Sequence, residues 1–462
     1  MKVEPLATRG PAQDFIEFVH ALSVDTIPAP LINRAKWRLL DFLGCGLFGS
    51  QQPWSKIMAD EMLTEASRGR SSVLGHEQAI AAPPAALCNG TAAHGFELDD
   101  ITDELVGHPG AIVIPAALAV AESIDAPGSR LMLGIVAGYE AMYRVGKAVG
   151  LQPTRQGFHK TAVFGPVAAA IGAGVVMGLT PEKLTAAVGL ACSTASGIKS
   201  FSVGTGGGMM KRMHAGRAAE SGARMAQLAA RGFTAPPTAL DGRFGLMEVF
   251  GGKTAQPEQL VSELGKRWAI GRIFVKVYSC CGWVQTPVQA LLALRGPQPL
   301  DSRQVKKVRI GVSAYATRNN GAVNPPDTMG AQYSLPYCGA LALTGDPRDP
   351  TMFGPDAIND PARRELARRV ELVVDPELEA AYPKHAGARV ELELANGEHR
   401  ETFVLDPHGS PADPCTDPEL LDKFSRLASF AKPSETVKNI AETVQRLERL
   451  SSVRELTERL QS

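Results

Sequence analysis

Apolar and polar positions recur with two different periods along this chain, and the change from one to the other divides it. In the first half, Phe15 to Leu22 and Ala35 to Phe48 place apolar residues three and four apart, the spacing of an amphipathic helix. Ala111 to Ser123, Leu131 to Val149 and Thr161 to Met177 are apolar nearly all round, which predicts central helices rather than surface ones. Thr180-Pro-Glu-Lys offers an N-cap, a proline at the first helical position and an acid, the start signals of a further helix. An alanine-rich helix is predicted from about His214 to Arg231, stopping before Gly232.

Near Lys266 the period shortens to two. Arg272 to Tyr278, Val305 to Ser313, Arg369 to Val374, Ala388 to Leu394 and Arg400 to Leu405 carry the β-branched alternation of strands. The last two flank Asn396-Gly397, which tolerates the positive φ of a tight turn and predicts a hairpin. After Pro414 the helical spacing returns and ends in a charged amphipathic segment, Ser434 to Leu460. The expected fold is therefore mainly α: a large all-helical domain built from both chain ends, 1–268 and 413–462, with an inserted smaller α+β domain, 269–412. A cleft between two such domains is a common place for a small-molecule site.

Composition narrows the function classes. The chain has 462 residues, beyond the ~250–300 at which one core usually stops growing, so more than one domain is expected. Lys plus Arg equals Asp plus Glu, 48 each, with no basic stripe, which argues against a nucleic-acid partner. The seven cysteines are scattered without a CxxC pair, so a zinc ribbon or thioredoxin-type motif is not expected. Vicinal Cys280 and Cys281 are poorly placed to bridge, and the pattern suits a reducing cytoplasm. The start, Met1 to Phe15, lacks the apolar core of a signal peptide. Phe164 to Leu179 falls short of the ~18 apolar residues of a membrane span, so a buried helix is expected there.

Several clusters could carry chemistry. Glu97, Asp99 and Asp100 put three carboxylates just before an apolar helix, where burial raises carboxyl pKa values unless a cation pairs with them. That is acid/base chemistry or a capping cluster. His159 opens the helix at Thr161, where backbone N–H groups favour an anion, and a carboxylate there would have Lys160 nearby. Gly204-Thr-Gly-Gly-Gly-Met-Met-Lys211 does not match GxxxxGK[ST] and follows no strand, so it is not read as a nucleotide loop. Its glycines would let backbone approach a ligand, with Lys211 supplying charge. Lys276 precedes Cys280-Cys281, a nucleophile only if a cation lowers a thiol pKa and otherwise a buried pair. Tyr333 and Tyr337 lie before an apolar helix, placed either to donate a proton or to pack.

The succession ELDD, GHPG, GYE, GFHKT, MMKRMHAG, GFTAP, KVYSCCG and AQYSLPY resembles the MmgE/PrpD family, over residues 10 to 450. The resemblance implies a homodimer of helical domains, each with an inserted lid, and a pocket between them that binds small di- or tricarboxylates without metal or organic cofactor. It also implies a carbanion formed next to a carboxylate, and it marks Glu97, Asp100, His108, His159, Lys211, Lys276 and Tyr337 as pocket positions. Catalytic roles are expected of His159, Lys211, Tyr337, His108, Glu97 and Asp100, and substrate contacts of Lys276, Lys160, Gln285 and Cys281. Two positions depart from the family: Ile101-Thr102 stand where it often has Thr-His, and Gln285 where it often has a histidine. The resulting expectation is a cofactor-free hydro-lyase on a small carboxylic acid. The alternatives are an epimerase, isomerase or decarboxylase on the same scaffold, or a non-catalytic binding member.

Overall fold

The computed structural model describes residues 10–65, 68–102, 107–202 and 208–461. The glycines from Gly204 to Gly207 fall outside the described residues. The protein is mainly helical. Six helices build its core: α1 (Ala29–Ser50), α2 (Ala82–His94), α3 (Gly110–Ser123), α4 (Gly128–Val149), α5 (Lys160–Met177) and α6 (Met210–Ala230). Helix α5 packs against α3, α4 and α6 and is buried from Lys160 to Val176. By length and composition it could cross a membrane, yet 94% of it is covered by the protein itself.

Small side chains set the helix spacing. A Cβ on Gly216 of α6 would stand 2.2 Å from the Leu87 carbonyl oxygen of α2, and one on Gly90 would stand 2.7 Å from the Gly216 Cα. Only glycine allows that approach. It brings His94, at the end of α2, beside Lys211 and His214 in the first turns of α6.

The strands assemble as expected in most places. β1 (Val305–Val312), β2 (Val370–Val374), β3 (Ala388–Leu394) and β4 (His399–Val404) form one sheet in the order β2-β1-β3-β4, with β1 and β2 parallel and the other pairs antiparallel. The β3–β4 hairpin turns at Asn396-Gly397, where Gly397 has φ 89°. Helix α7 (Gly282–Arg295) lies on this sheet, and α9 (Leu335–Thr344) packs on α7 after a short α8 (Thr328–Tyr333). Beyond the sheet, α10 (Asp417–Ala428) returns to pack on α1. Ser434 to Leu460 is helical but broken by a 3₁₀ turn at Leu447–Arg449.

One strand differs from its pattern. Of Arg272 to Tyr278, only Ile273–Phe274 pairs, antiparallel to Ile101–Thr102 and apart from the sheet. The N–H groups of Val277 and Tyr278 turn instead to the Gln285 Oε1, at 3.2 and 3.1 Å. This small ladder ties the carboxylate cluster to Lys276, about 175 residues downstream.

Candidate active site

The loop from Gly95 to Asp100 leaves α2 and carries the carboxylates into the core. Glu97 adopts φ 55°, a left-handed conformation unfavourable for a side chain of its size and typical of positions held for function. Its carboxylate contacts Lys211 Nζ through Oε1 and Lys276 Nζ at 3.0 Å through Oε2, and all three residues are buried. The Tyr333 hydroxyl lies 3.4 Å from Glu97 Oε1, and Lys211 Nζ sits over the Tyr333 ring. Burial and then the neighbouring Lys276 charge push the Lys211 ammonium well below its ordinary pKa.

Asp99 binds two histidines at once. Its Oδ2 lies 2.7 Å from His94 Nδ1 and 3.0 Å from His108 Nδ1, while Oδ1 lies 3.4 Å from Lys276 Nζ. Burial alone would raise this carboxyl, but His108, Lys276 and His94 prevail and hold it well below the usual carboxylate range. An ionised carboxylate only accepts hydrogen bonds, so both Nδ1 atoms carry the proton. The His94 Nε2 is then left with a free lone pair on a neutral ring. That atom is buried and has no hydrogen-bond partner among the described residues.

Two further imidazoles complete the cluster. His159, the N-cap of α5, and His214 of α6 face each other with their Nδ1 atoms 2.9 Å apart, so one donates and the other accepts. His159 stacks 5.9 Å from His94, and Phe201 packs edge-on against both His159 and His214. Burial holds the three rings neutral: His94 falls to about 3, His214 to about 4 and His159 well below its ordinary value. His94, Asp99 and His108 also form the one cluster among the described residues with metal-ligand spacing, their donor atoms within 4.8 Å of one another. The hydrogen bonds already use those donors, and the Lys276 ammonium stands where a divalent ion's charge would be wanted.

The structure thus brings together Glu97, His108, His159, Lys211 and Lys276 from the expected set. It places others differently. Asp100 turns away from the histidines and accepts from Tyr139 Oη at 2.7 Å and Gly110 N at 2.8 Å, clamping the start of α3. Its carboxyl rises to about 6 through burial, a rise that the Tyr139 bond opposes. The Tyr337 hydroxyl donates to the Met352 carbonyl, and its ring packs on Phe353 and Arg363, so Tyr333 is the phenol at the carboxylates. Gln285 does not face the cluster. Its amide accepts from Val277 and Tyr278 and donates to the Tyr278 and Cys280 carbonyls at 2.8 Å each, fixing the turn that follows Lys276. Cys281 is buried with Lys211 and Lys276 as its cationic neighbours, and burial raises its thiol. Lys160 is buried without a hydrogen-bond partner among the described residues. Asp99 reads in the sequence only as one of three clustered carboxylates, His214 lies inside MMKRMHAG without a role, and His94 stands three residues before ELDD.

Comparison with known proteins finds matches along most of the chain. Residues 13–259 match the MmgE/PrpD N-terminal domain and residues 278–449 the MmgE/PrpD C-terminal domain. The chain belongs to the MmgE/PrpD family. Among its relatives is the cis-aconitate decarboxylase of Aspergillus terreus, 29% identical over 98% of this chain and 96% of that one. The cis-aconitate decarboxylase-like protein oryM of Aspergillus oryzae is 31% identical over 96% and 95%. The human cis-aconitate decarboxylase is 27% identical over 96% and 93%. As an MmgE/PrpD protein the chain carries both family domains almost end to end.

Proposed function

We propose that this protein is a lyase that removes a carboxyl group from a small unsaturated polycarboxylic acid, with cis-aconitate as the first substrate to test. The observation that supports it most is the pair of buried ammonium groups, Lys211 and Lys276, sharing Glu97 beside four imidazoles. Lysines on the departing carboxylate would oppose its loss, because they favour the charge that must vanish. They favour reaction when they hold a carboxylate that stays, where charge grows as the carbon–carbon bond breaks. The bond's electron pair passes into the conjugated acid, CO₂ leaves, and one proton is taken up at carbon.

His159 is placed to deliver that proton. Buried among other imidazoles it is neutral, but a bound polyanion reverses the local field and raises its pKa. Substrate binding therefore loads the donor, while Asp99 keeps His94 and His108 in one tautomer. The sheet-bearing segment 269–412, which contributes Lys276 and Tyr333, would act as the lid over a helical body of 1–268 and 413–462. The assembly we expect is a homodimer.

The assay is ¹⁴CO₂ release from carboxyl-labelled cis-aconitate, followed in parallel by proton NMR in D₂O. The proposal expects CO₂ with one deuterium placed in the product. Hydration of the double bond would consume water with no loss of carbon, and isomerisation to the trans acid would change the alkene signal alone, so either result without CO₂ refutes decarboxylation. His159→Ala and Lys211→Ala should each cost about 10²–10⁴ in turnover, as loss of a general acid or charge-stabilising group does.

A further inference from the structure

The cations around the histidines are unequally paired. Lys211 and Lys276 each contact Glu97, and Lys276 also approaches Asp99. Lys160, one residue from His159, is 3% exposed, and its Nζ has no hydrogen-bond partner among the described residues. The charged group acting on it among the described residues is Lys199, which has the same sign. The backbone fixes these two lysines close together: His159 N donates to Gly197 O at 2.9 Å, and Lys199 N donates to Gly157 O at 2.7 Å. Lys199 Nζ is oriented further by the Tyr315 hydroxyl, at 3.2 Å.

The same turn offers more donors. As the first residues of an 18-residue helix, Lys160 and Thr161 have no helical acceptor for their N–H groups, and His159 provides no side-chain cap. The Thr161 hydroxyl is fully buried and also lacks a partner among the described residues. Buried donors and a buried charge without partners are costly, and a helix start is where an anion binds best. Burial and then Lys199 pull the Lys160 ammonium down to about 8, which leaves it mostly charged at neutral pH.

We infer that the first turn of α5, with Lys160 and Lys199, is a second carboxylate subsite that takes the far carboxylate of the substrate. His159 adjoins both groups: it precedes Lys160 in the chain and faces His214, three residues after Lys211. The substrate class is then an acid with at least two carboxylates, one held at each pair of lysines and the reacting carbon between them at His159. This inference rests on the reading of the site as one for a small polycarboxylic acid and adds the residues that hold its second carboxylate.

Binding calorimetry on the whole protein tests it, using the saturated acids tricarballylate, glutarate and butyrate as probes. Lys160→Met should weaken tricarballylate and glutarate about ten- to a hundredfold, the range of one charged hydrogen bond, and change butyrate less than about twofold. Lys199→Met should weaken the same two acids in the same direction. Lys160→Met should also raise Tm, because it removes an unpaired buried charge, so the variant is expected to fold. Affinity for tricarballylate within about twofold of wild type overturns the subsite, as does equal weakening of butyrate or a wild-type protein that binds none of the acids. Since binding is read without turnover, the two ideas fail separately. A protein that holds tricarballylate through Lys160 but releases no CO₂ refutes decarboxylation alone. One that decarboxylates with Lys160→Met binding unchanged refutes the subsite alone.

Discussion

Replacing Asp99 by asparagine tests the arrangement of the histidines directly. In the native site Asp99 Oδ2 accepts from two imidazole N–H groups, at 2.7 and 3.0 Å, while Oδ1 faces Lys276 at 3.4 Å. Asparagine keeps the shape but offers one oxygen and one NH₂. With the oxygen on the histidines, the NH₂ meets an ammonium. With the NH₂ there, it meets two N–H donors, and relief requires both rings to shift their protons to Nε2. At His94 that is the lone pair left free to face a ligand.

The magnitudes follow from the lost bonds. A hydrogen bond to a charged group is worth about 1.5–3 kcal/mol, and two are weakened together, so a loss of about 2–4 kcal/mol of stability is expected. That is within the ~5–15 kcal/mol that a folded protein normally has to lose, so the variant should remain folded. Turnover should fall about 10²–10⁴, the range for a misdirected acid/base group, with a smaller change in KM because the lysines remain. Urea denaturation reads the first effect, CO₂ release the second, and ¹⁵N shifts of the histidine rings the tautomers. A folded Asp99→Asn protein with kcat within about threefold of wild type, or with Nδ1 still protonated on both rings, would refute the reasoning.

Tyr333→Phe should lower kcat about tenfold by removing the phenol from Glu97, whereas Tyr337→Phe should cost about 1 kcal/mol of stability and leave kcat near wild type, both read by steady-state kinetics and urea melts. Lys423→Met strands a buried Asp41 that its ammonium approaches at 2.6 Å and frees the Leu98 carbonyl that it holds at 2.7 Å. It should lose about 3–5 kcal/mol in urea denaturation, and adding Asp41→Leu should recover most of that. Glu122 has its carboxyl raised to about 7 by burial, which its bonds to Ser72 oppose. Its stabilising contribution is full below the unfolded value near 4.3 and is lost as pH rises through about 7. Glu122→Gln should match wild type near pH 4 and exceed it by about 3–4 kcal/mol near pH 8.5, measured by thermal melts across pH.

Much of the helical core could be read in the chain because its central helices are apolar all round, a pattern that only burial explains. The sheet order could not, since alternation marks a strand but not its neighbours. Of the five site residues, His108 stands between Gly107 and Pro109, Glu97, His159 and Lys211 are ionisable side chains near helix boundaries, and Lys276 is a cation shortly before the cysteine pair. The aspartates show where legibility ended. Asp99 and Asp100 are adjacent and chemically equal, yet they lead into the short strand at Ile101–Thr102, where successive side chains take opposite sides. One therefore meets the histidines and the other Tyr139. Tyr333 and Tyr337 read alike in the sequence, as two phenols before an apolar helix. Ser334 ends α8 and caps α9 by accepting from Tyr337 N, so the two phenols belong to different helices and diverge. Gln285 reads as a pocket residue by position, but its amide satisfies four backbone groups that a broken strand leaves open.

The pairing of Glu97 with two lysines has a consequence for how a substrate enters. Burying a free polyanion beside unpaired ammonium groups would require desolvating both partners at the moment of binding. Here the ammonium groups are already desolvated, and a carboxylate already occupies them. An arriving substrate carboxylate replaces Glu97 on Lys211 or Lys276, an exchange of like for like that leaves the count of buried charges at the lysines nearly unchanged. Glu97 is held for that exchange in a strained φ of 55°, so release of its side chain opposes binding less than release from a relaxed conformation would. The lysines at α5 have no such stand-in, and the free energy gained there falls to the substrate alone. An acid with one carboxylate can only exchange with Glu97, whereas an acid with two also neutralises Lys160. Discrimination between them then follows from which buried charges the empty site leaves unmatched.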